Sequence, residues 1–207
     1  MQRWIGLDSM DRSYLVRHEV GPHVVDVPYG YMTGRATPER VNCTPRRSKI
    51  EFAFWMPDQR PPVADMWHHA NFRMQEPGRD KPGANEYIVK VLGAWYVDPK
   101  SSENGSPAVR FPNMLKNYQT EEKYGLKHIQ NGRDNEDAYG SVSDQRFNIT
   151  LNCSHRTEYI INPSCKAYLY FTDTRIESVI LFPSDALSEW GQIKDAVYKL
   201  LMQWRAS

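Results

Sequence analysis

The sequence predicts an α+β fold, in which antiparallel strands with long loops pack against one C-terminal amphipathic helix. Three observations support this fold class. Segments that alternate apolar and polar residues recur along the chain, three of them follow one another closely, and an apolar stripe of helical period comes after them. The 207 residues suit a single domain over 1–207, and two similar-sized subdomains, about 13–97 and 125–205, are the alternative.

Four strands are predicted in the first half of the chain. Two short strands within 13–28 flank a turn at Gly21 and Pro22. Alternation of apolar with small or polar residues predicts two longer strands at 50–56 and 87–97.

Two polar stretches are predicted to be loops. Residues 57–85 contain five prolines, and residues 131–146 are rich in charged and turn-forming residues. Loops longer than about 12–15 residues are usually functional or disordered. A short helix or turn is also expected near 113–118.

The second half predicts an antiparallel meander followed by a helix of about 20 residues. The meander strands are 147–152, 166–171 and 175–182, and Pro183, Ser184 and Asp185 offer a helix cap. Large apolar residues then recur three or four positions apart, which places them on one face of the helix. These residues are Leu187, Trp190, Ile193, Val197, Leu200, Leu201 and Trp204.

Two of the three cysteines are predicted to form a disulfide. Cys153 and Cys165 flank a polar loop between two strands of the meander, and a hairpin brings such positions within bonding distance. Two buried free thiols are the alternative. A disulfide favours an oxidising compartment, and it leaves Cys43 without a predicted partner.

Composition and motifs do not favour an enzyme. Lys and Arg number 26 against 25 Asp and Glu, for a net charge of +1, so there is no global electrostatic signal for nucleic acid or an anionic membrane. No phosphate-binding glycine loop, nucleophile elbow, paired-histidine zinc helix or calcium-loop spacing occurs. We therefore predict no catalytic residue, no metal and no cofactor.

Aromatic and charged residues in the predicted loops indicate a protein-binding surface instead. Loop Trp and Tyr residues near charged side chains are enriched at protein interfaces, although each could equally pin down its own loop. The candidate contact residues are Trp67, His68, Arg133, Asp134, Glu136, Asp137 and Tyr139.

A set of structural motifs spans roughly half to two thirds of the chain. They are Phe52–Asp58, Tyr124–Leu126, Asn152–Cys153, Pro163–Cys165, Tyr168–Phe171, Ile176–Phe182 and Leu187–Trp190 with the closing helix. This pattern resembles bacterial type VI secretion immunity proteins of the cell envelope. The resemblance implies a non-catalytic inhibitor that binds a cognate secreted effector, a lipase-like toxin such as a phospholipase, and blocks its active site or a required motion. If that toxin has a charged rim, the resemblance further implies that Arg133, Asp134, Glu136 and Asp137 set the register and the association rate. Two alternatives stay open: a cell-envelope module that binds a small ligand or peptide in an aromatic pocket, and an enzyme, which needs a converging polar cluster in a cleft.

The first residues do not read as a signal peptide, because no basic stretch precedes an apolar one. Two expectations follow. The chain is periplasmic if an export segment was trimmed from it, in which case a missing N-terminal anchor is the only expected membrane attachment. It is cytoplasmic if it is full length.

Overall fold

The computed structural model describes residues 12–32, 49–63, 66–98, 119–130, 136–141 and 147–206. Within these ranges the chain forms ten strands and one α-helix. The strands are β1 (Leu15–Val20), β2 (His23–Pro28), β3 (Lys49–Met56), β4 (Tyr87–Tyr96), β5 (Glu121–Lys123), β6 (Leu126–Gln130), β7 (Glu136–Ser141), β8 (Phe147–Ser154), β9 (Ser164–Phe171) and β10 (Ile176–Pro183), and the helix α1 spans Trp190–Gln203.

Eight of the strands form one antiparallel sheet in the order β3-β4-β10-β9-β8-β7-β6-β5. The predicted meander is confirmed as β8, β9 and β10, and the fold class is confirmed as α+β. Strand β4, from the first half of the chain, pairs directly with β10 from the second half. Strands from both suggested subdomains therefore share this sheet, and the number of domains stays a prediction.

The predicted loop 131–146 is corrected in its central part, because Glu136–Ser141 forms strand β7. This segment lacks a clear apolar alternation, but its backbone pairs with β6 on one side and β8 on the other. Strands β5 and β6 were also not predicted, and β5 is a short, fully exposed Glu-Glu-Lys segment at the sheet edge. Pairing with neighbours, rather than local composition, makes these segments strands.

The C-terminal helical segment is confirmed at its predicted place. A 3₁₀ turn at Ser184–Glu189 leads into α1. The predicted side-chain cap is absent, and the Ser184 amide instead donates to the Pro163 carbonyl at 3.0 Å. The buried side of α1 packs in the main core with the apolar face of the sheet, and it consists of Ile193, Ala196, Val197, Leu200 and Leu201.

The β1–β2 hairpin joins the sheet to the end of this helix. The Asp26 amide donates to the Trp204 carbonyl at 2.8 Å, and Met32 forms a bridge with Phe52 of β3. The hairpin turn contains Gly21 at φ +60°, where an added Cβ would lie 2.2 Å from the Tyr96 ring. A glycine is required there both by the backbone conformation and by this close approach.

The strand directions gather several connections at one end of the sheet. Strands β3, β6, β8 and β10 end there, and β4, β7 and β9 begin there. We call this the loop end. No helix in the described part of the chain is long and apolar enough to span a bilayer.

Candidate interaction surface

Two connections at the loop end carry exposed side chains that are available to a partner. One is the β3–β4 connection, described over 57–63 and 66–86, which we call the long loop. The other is the β8–β9 connection at 155–163, which we call the clamped loop. Both are fastened to the 3₁₀ turn that precedes α1, since Arg73 pairs with Asp185 at 2.9 Å and the Ser184 amide bonds Pro163.

A second hydrogen bond ties the base of the long loop to the helical segment. The Tyr87 hydroxyl donates to the Glu189 carboxylate at 2.8 Å. Burial, together with this carboxylate, raises the pKa of Tyr87 far above its usual value, so the phenol stays protonated and keeps donating. The long loop, the 3₁₀ turn and the clamped loop are thereby connected in one continuous surface.

Ion pairs of two arginines hold the long loop against Trp55 of β3. The Arg60 guanidinium lies 4.7 Å from the centre of the Trp55 ring and pairs with Asp58 at 2.7 Å and Glu76 at 3.0 Å. Arg79 approaches the same Glu76 carboxylate at 3.2 Å. The Glu76 side chain is only 6% exposed, so its charge depends on these two cations.

We expect Arg60→Ala to lower the free energy of unfolding by about 2 kcal/mol in urea denaturation. The loss is smaller than the roughly 3–5 kcal/mol for a buried charge left wholly unpaired, because Arg79 still neutralises Glu76. The matched control is Arg17→Ala, which breaks an exposed pair with Asp26 and should lower the free energy of unfolding much less, because exposed ion pairs contribute little. Equal losses in the two variants would contradict the structural role of Arg60.

Trp67 and His68 lie in a 3₁₀ turn of the long loop, at Met66–His68. Met66 is buried with Trp55 and Ile88, and Trp67 packs against this small cluster while remaining half-buried. His68 is exposed. Trp67 therefore contributes to fixing its own loop, and both side chains retain surface at which a partner could make contact.

The main chain of the long loop is also held by a buried lysine beneath it. Lys90 of β4 is 5% exposed, and its ammonium donates to the His69 carbonyl. Its ammonium also lies 5.0 Å from the centre of the Phe72 ring. Burial lowers the pKa of Lys90, and the carbonyl and the ring partly compensate its desolvation.

The polar cluster around Asp137 lies at the margin of the loop end. One oxygen of Asp137 is 3.3 Å from a ring nitrogen of His128 and 3.3 Å from one of His155, and it accepts a hydrogen bond from the Tyr139 hydroxyl at 3.3 Å. His128 also lies 2.7 Å from Glu121. Within the described ranges, no group of three or more His, Cys, Asp or Glu side chains is arranged to hold a metal.

The predicted contact residues of this region fall into three groups. Glu136 is exposed at the start of β7, and Asp137 is half-buried in the polar cluster. Tyr139 is 3% exposed and stacks on His128, and burial raises its pKa well above the usual value. Tyr139 was expected in a loop and instead lies inside the fold, so it is left out of the surface proposed below.

Some of the predictions fall outside the described residues. These are Arg133, Asp134, Cys43 and the turn expected near 113–118. In sequence, Arg133 and Asp134 fall between β6 and β7, whose flanking residues Gln130 and Glu136 are at the loop end.

The predicted disulfide is present and closes the base of the clamped loop. Cys153 and Cys165 face each other at the ends of β8 and β9 and are bonded. One step further along, the Ser154 hydroxyl donates to the Ser164 carbonyl at 3.1 Å and accepts from the Ser164 amide at 2.9 Å. A covalent bond and two hydrogen bonds therefore hold the two ends of the clamped loop together.

Sequence reasoning missed the most exposed apolar side chains of the described chain, Tyr159 at 87% and Ile161 at 67%. Both lie in the clamped loop. The available signal was the run of three large apolar residues, Tyr159, Ile160 and Ile161, inside an otherwise polar segment between two cysteines. The aromatic-lined pocket expected of a small-ligand module has no counterpart in the cavity on the long loop. That cavity, of about 450 Å³, is lined by Gly78, Arg79, Asp80, Lys81 and Glu86.

The architecture is thus an antiparallel sheet with one face covered by a C-terminal helix and an exposed, braced set of loops at one end. A solved structure with a similar fold is an immunity protein of the Stenotrophomonas maltophilia type IV secretion system. Its TM-score is 0.61 at 16% identity, and the match covers 94% of this chain and 94% of that chain. At this identity the likeness establishes a shared fold. No protein-family model matches the sequence, and no curated protein does.

Proposed function

We propose that this chain is an immunity protein that binds a cognate secreted effector and neutralises it without catalysis. The observation that carries this proposal is the likeness to an immunity protein along 94% of both chains. The strand and cysteine motifs of the sequence support the same class of protein independently, since they resemble those of immunity proteins. The proposed mode of action is steric, by blocking the active site of the effector or a motion that the effector requires.

The loop end is the surface that best suits this function. Inhibitors that bind pre-organised avoid the entropic cost of ordering their loops on association. The long loop is held by Arg60 and Lys90 and the clamped loop by its disulfide. We propose that exposed and half-buried groups of this end make the contacts, including Trp67, His68, Glu136 and Asp137.

The secretion system and the chemistry of the effector are finer proposals. The sequence motifs resemble type VI immunity proteins that act against phospholipases, whereas the similar structure belongs to a type IV system. We propose a lipase-like effector and a periplasmic site of action, which the disulfide supports because such bonds persist in oxidising compartments. Deleting each secretion system in the producing strain, and assaying the effector for phospholipid cleavage, would distinguish these possibilities.

The proposal is tested by using the full chain as bait in the bacterium that encodes it and identifying captured proteins by mass spectrometry. The captured protein is then produced in a test strain with and without this chain. We expect a secreted protein that arrests growth alone and is tolerated when this chain is present. An unrelated disulfide-containing bait serves as the control. Capture of only non-toxic proteins, or toxicity that this chain does not relieve, would contradict the immunity function and favour the ligand-binding module.

A further inference from the structure

The clamped loop exposes two large apolar side chains to solvent instead of packing them against the rest of the protein. Tyr159 and Ile161 are 87% and 67% exposed, while the intervening Ile160 is half-buried. Exposed apolar residues scattered singly are ordinary. Here two large exposed side chains, separated by one residue, lie at the tip of one loop. This arrangement is typical of a contact site rather than of an isolated surface residue.

Hydrogen bonds to Thr157 order the backbone at the tip of the clamped loop. The Thr157 hydroxyl oxygen accepts from the amides of Tyr159 at 3.2 Å and Ile160 at 3.0 Å. The Thr157 amide donates to the Ile160 carbonyl at 3.3 Å, which closes a tight turn at the tip. The loop is thus braced at its tip by Thr157, as well as at its base by the disulfide.

The Tyr159 hydroxyl has a polar neighbour that does not cover the ring. Glu158 forms a side-chain hydrogen bond with it, and this bond raises the pKa of Tyr159. The tip is therefore a neutral aromatic ring and a branched aliphatic chain, with Arg156 and Glu158 exposed beside them. A rigid aromatic with charged neighbours is the composition of an interface hot spot surrounded by a polar rim.

We infer that the clamped loop is the inserting element of the effector complex, with Tyr159 and Ile161 occupying a concave apolar pocket on the effector. This inference rests on the proposed function. The occupant of that pocket is the projecting tip of this chain, and the partner is a protein whose pocket admits a tyrosyl ring and an isoleucyl side chain, with polar groups at its edge to meet Arg156 and Glu158.

The shape of the tip favours a concave protein partner over a flat one. A projecting loop on a disulfide base buries both side chains only when the partner surrounds them. Because the loop is already ordered, little conformational entropy is lost on insertion. Two side chains buried at the centre of an interface can carry most of its affinity.

The test measures the dissociation constant between the captured, growth-arresting effector and a series of variants of the full chain. Tyr159→Ala and Ile161→Ala should each raise the dissociation constant by about 30-fold or more, the effect of losing a hot-spot side chain, and the double variant should no longer protect cells. Tyr159→Phe should bind within a few-fold of the original chain, because it keeps the ring. The matched control is Leu15→Ala, which removes another exposed apolar side chain, 55% exposed, from strand β1.

The outcomes separate this inference from the function on which it rests. If the original chain binds and neutralises the effector while the Tyr159/Ile161 double alanine variant binds within about twofold of it, the insertion is wrong and the immunity function stands. If Leu15→Ala weakens binding as much as the tip variants do, the insertion is also wrong. If the original chain neutralises no captured protein, the proposed function fails and the inference fails with it. Since both tip side chains are exposed, unchanged thermal unfolding of the variants excludes misfolding as the cause of weak binding.

Discussion

Replacing Trp204 with alanine should destabilise the protein by about 3–5 kcal/mol, the range for truncating a buried aromatic. Trp204 is 6% exposed at the end of α1, and its ring packs edge-on against Phe52 of β3 and Tyr31, with centroid distances of 5.0 and 4.9 Å. Its carbonyl also accepts the Asp26 amide of the β1–β2 hairpin. The side chain therefore fills the space between the helix end, Phe52 and Tyr31, and its removal leaves a cavity there, while the backbone bond to the hairpin is retained.

Urea denaturation followed by far-ultraviolet circular dichroism measures this loss. The control is Tyr159→Ala, which also truncates an aromatic but at 87% exposure, and it should leave the free energy of unfolding nearly unchanged. If the free energy of unfolding of Trp204→Ala lies within about 1 kcal/mol of that of the original protein, the helix end does not pack as described.

Removing the disulfide should cost about 3 kcal/mol, the chain-entropy value for a closed loop of this size. The variant is Cys153→Ala with Cys165→Ala, which leaves no unpaired thiol at either buried position. Backbone pairing of β8 with β9 continues on the strand side of the bridge, so we expect the sheet to persist while the clamped loop becomes more mobile. Denaturation of this variant beside the original protein measures the stability loss.

Reduction gives an independent check on the same bond. The original protein in reducing buffer should approach the stability of the double alanine variant, and the variant itself should not respond to reductant. Cys43→Ala serves as the control, and it should respond to reductant as the original protein does. A double alanine variant as stable as the oxidised protein would contradict a stabilising role for the bridge.

The parts of the fold that were predictable are those whose signal is local. The apolar stripe follows a helical period, and its members Ile193, Val197, Leu200 and Leu201 lie on the face that α1 buries. The meander was predictable because its strands are apolar and β9 and β10 are joined by a tight connection, and the two cysteines at its edges indicated their own pairing.

The parts that were not predictable depend on distant partners. Glu136–Ser141 is a strand because β6 and β8 pair with it, and nothing in its own composition requires this. The placement of β4 beside β10 is likewise non-local, and it is what brings the long loop to the same end as the clamped loop. The sequence therefore predicted individual candidate contact residues, but it did not predict that the long loop and the clamped loop lie at the same end of the sheet.

The clamped loop shows the same limit at the scale of single side chains. The sequence indicated a closed loop there, but the exposure of Tyr159 and Ile161 beside a half-buried Ile160 belongs to the folded loop, in which Thr157 closes a turn. Whether a residue in a loop points inward or outward depends on such turns, and apolar character alone favours the inward direction.

Hydrogen–deuterium exchange of the full chain, alone and in complex with its growth-arresting effector, tests most directly that the loop end is where the effector binds. We expect the amides of residues 155–163 and of the long loop to exchange more slowly in the complex, while the β5–β6 turn at the opposite end of the sheet is unchanged. Slowed exchange confined to the β5–β6 turn or to the β1–β2 hairpin, with residues 155–163 unaffected, would contradict the account.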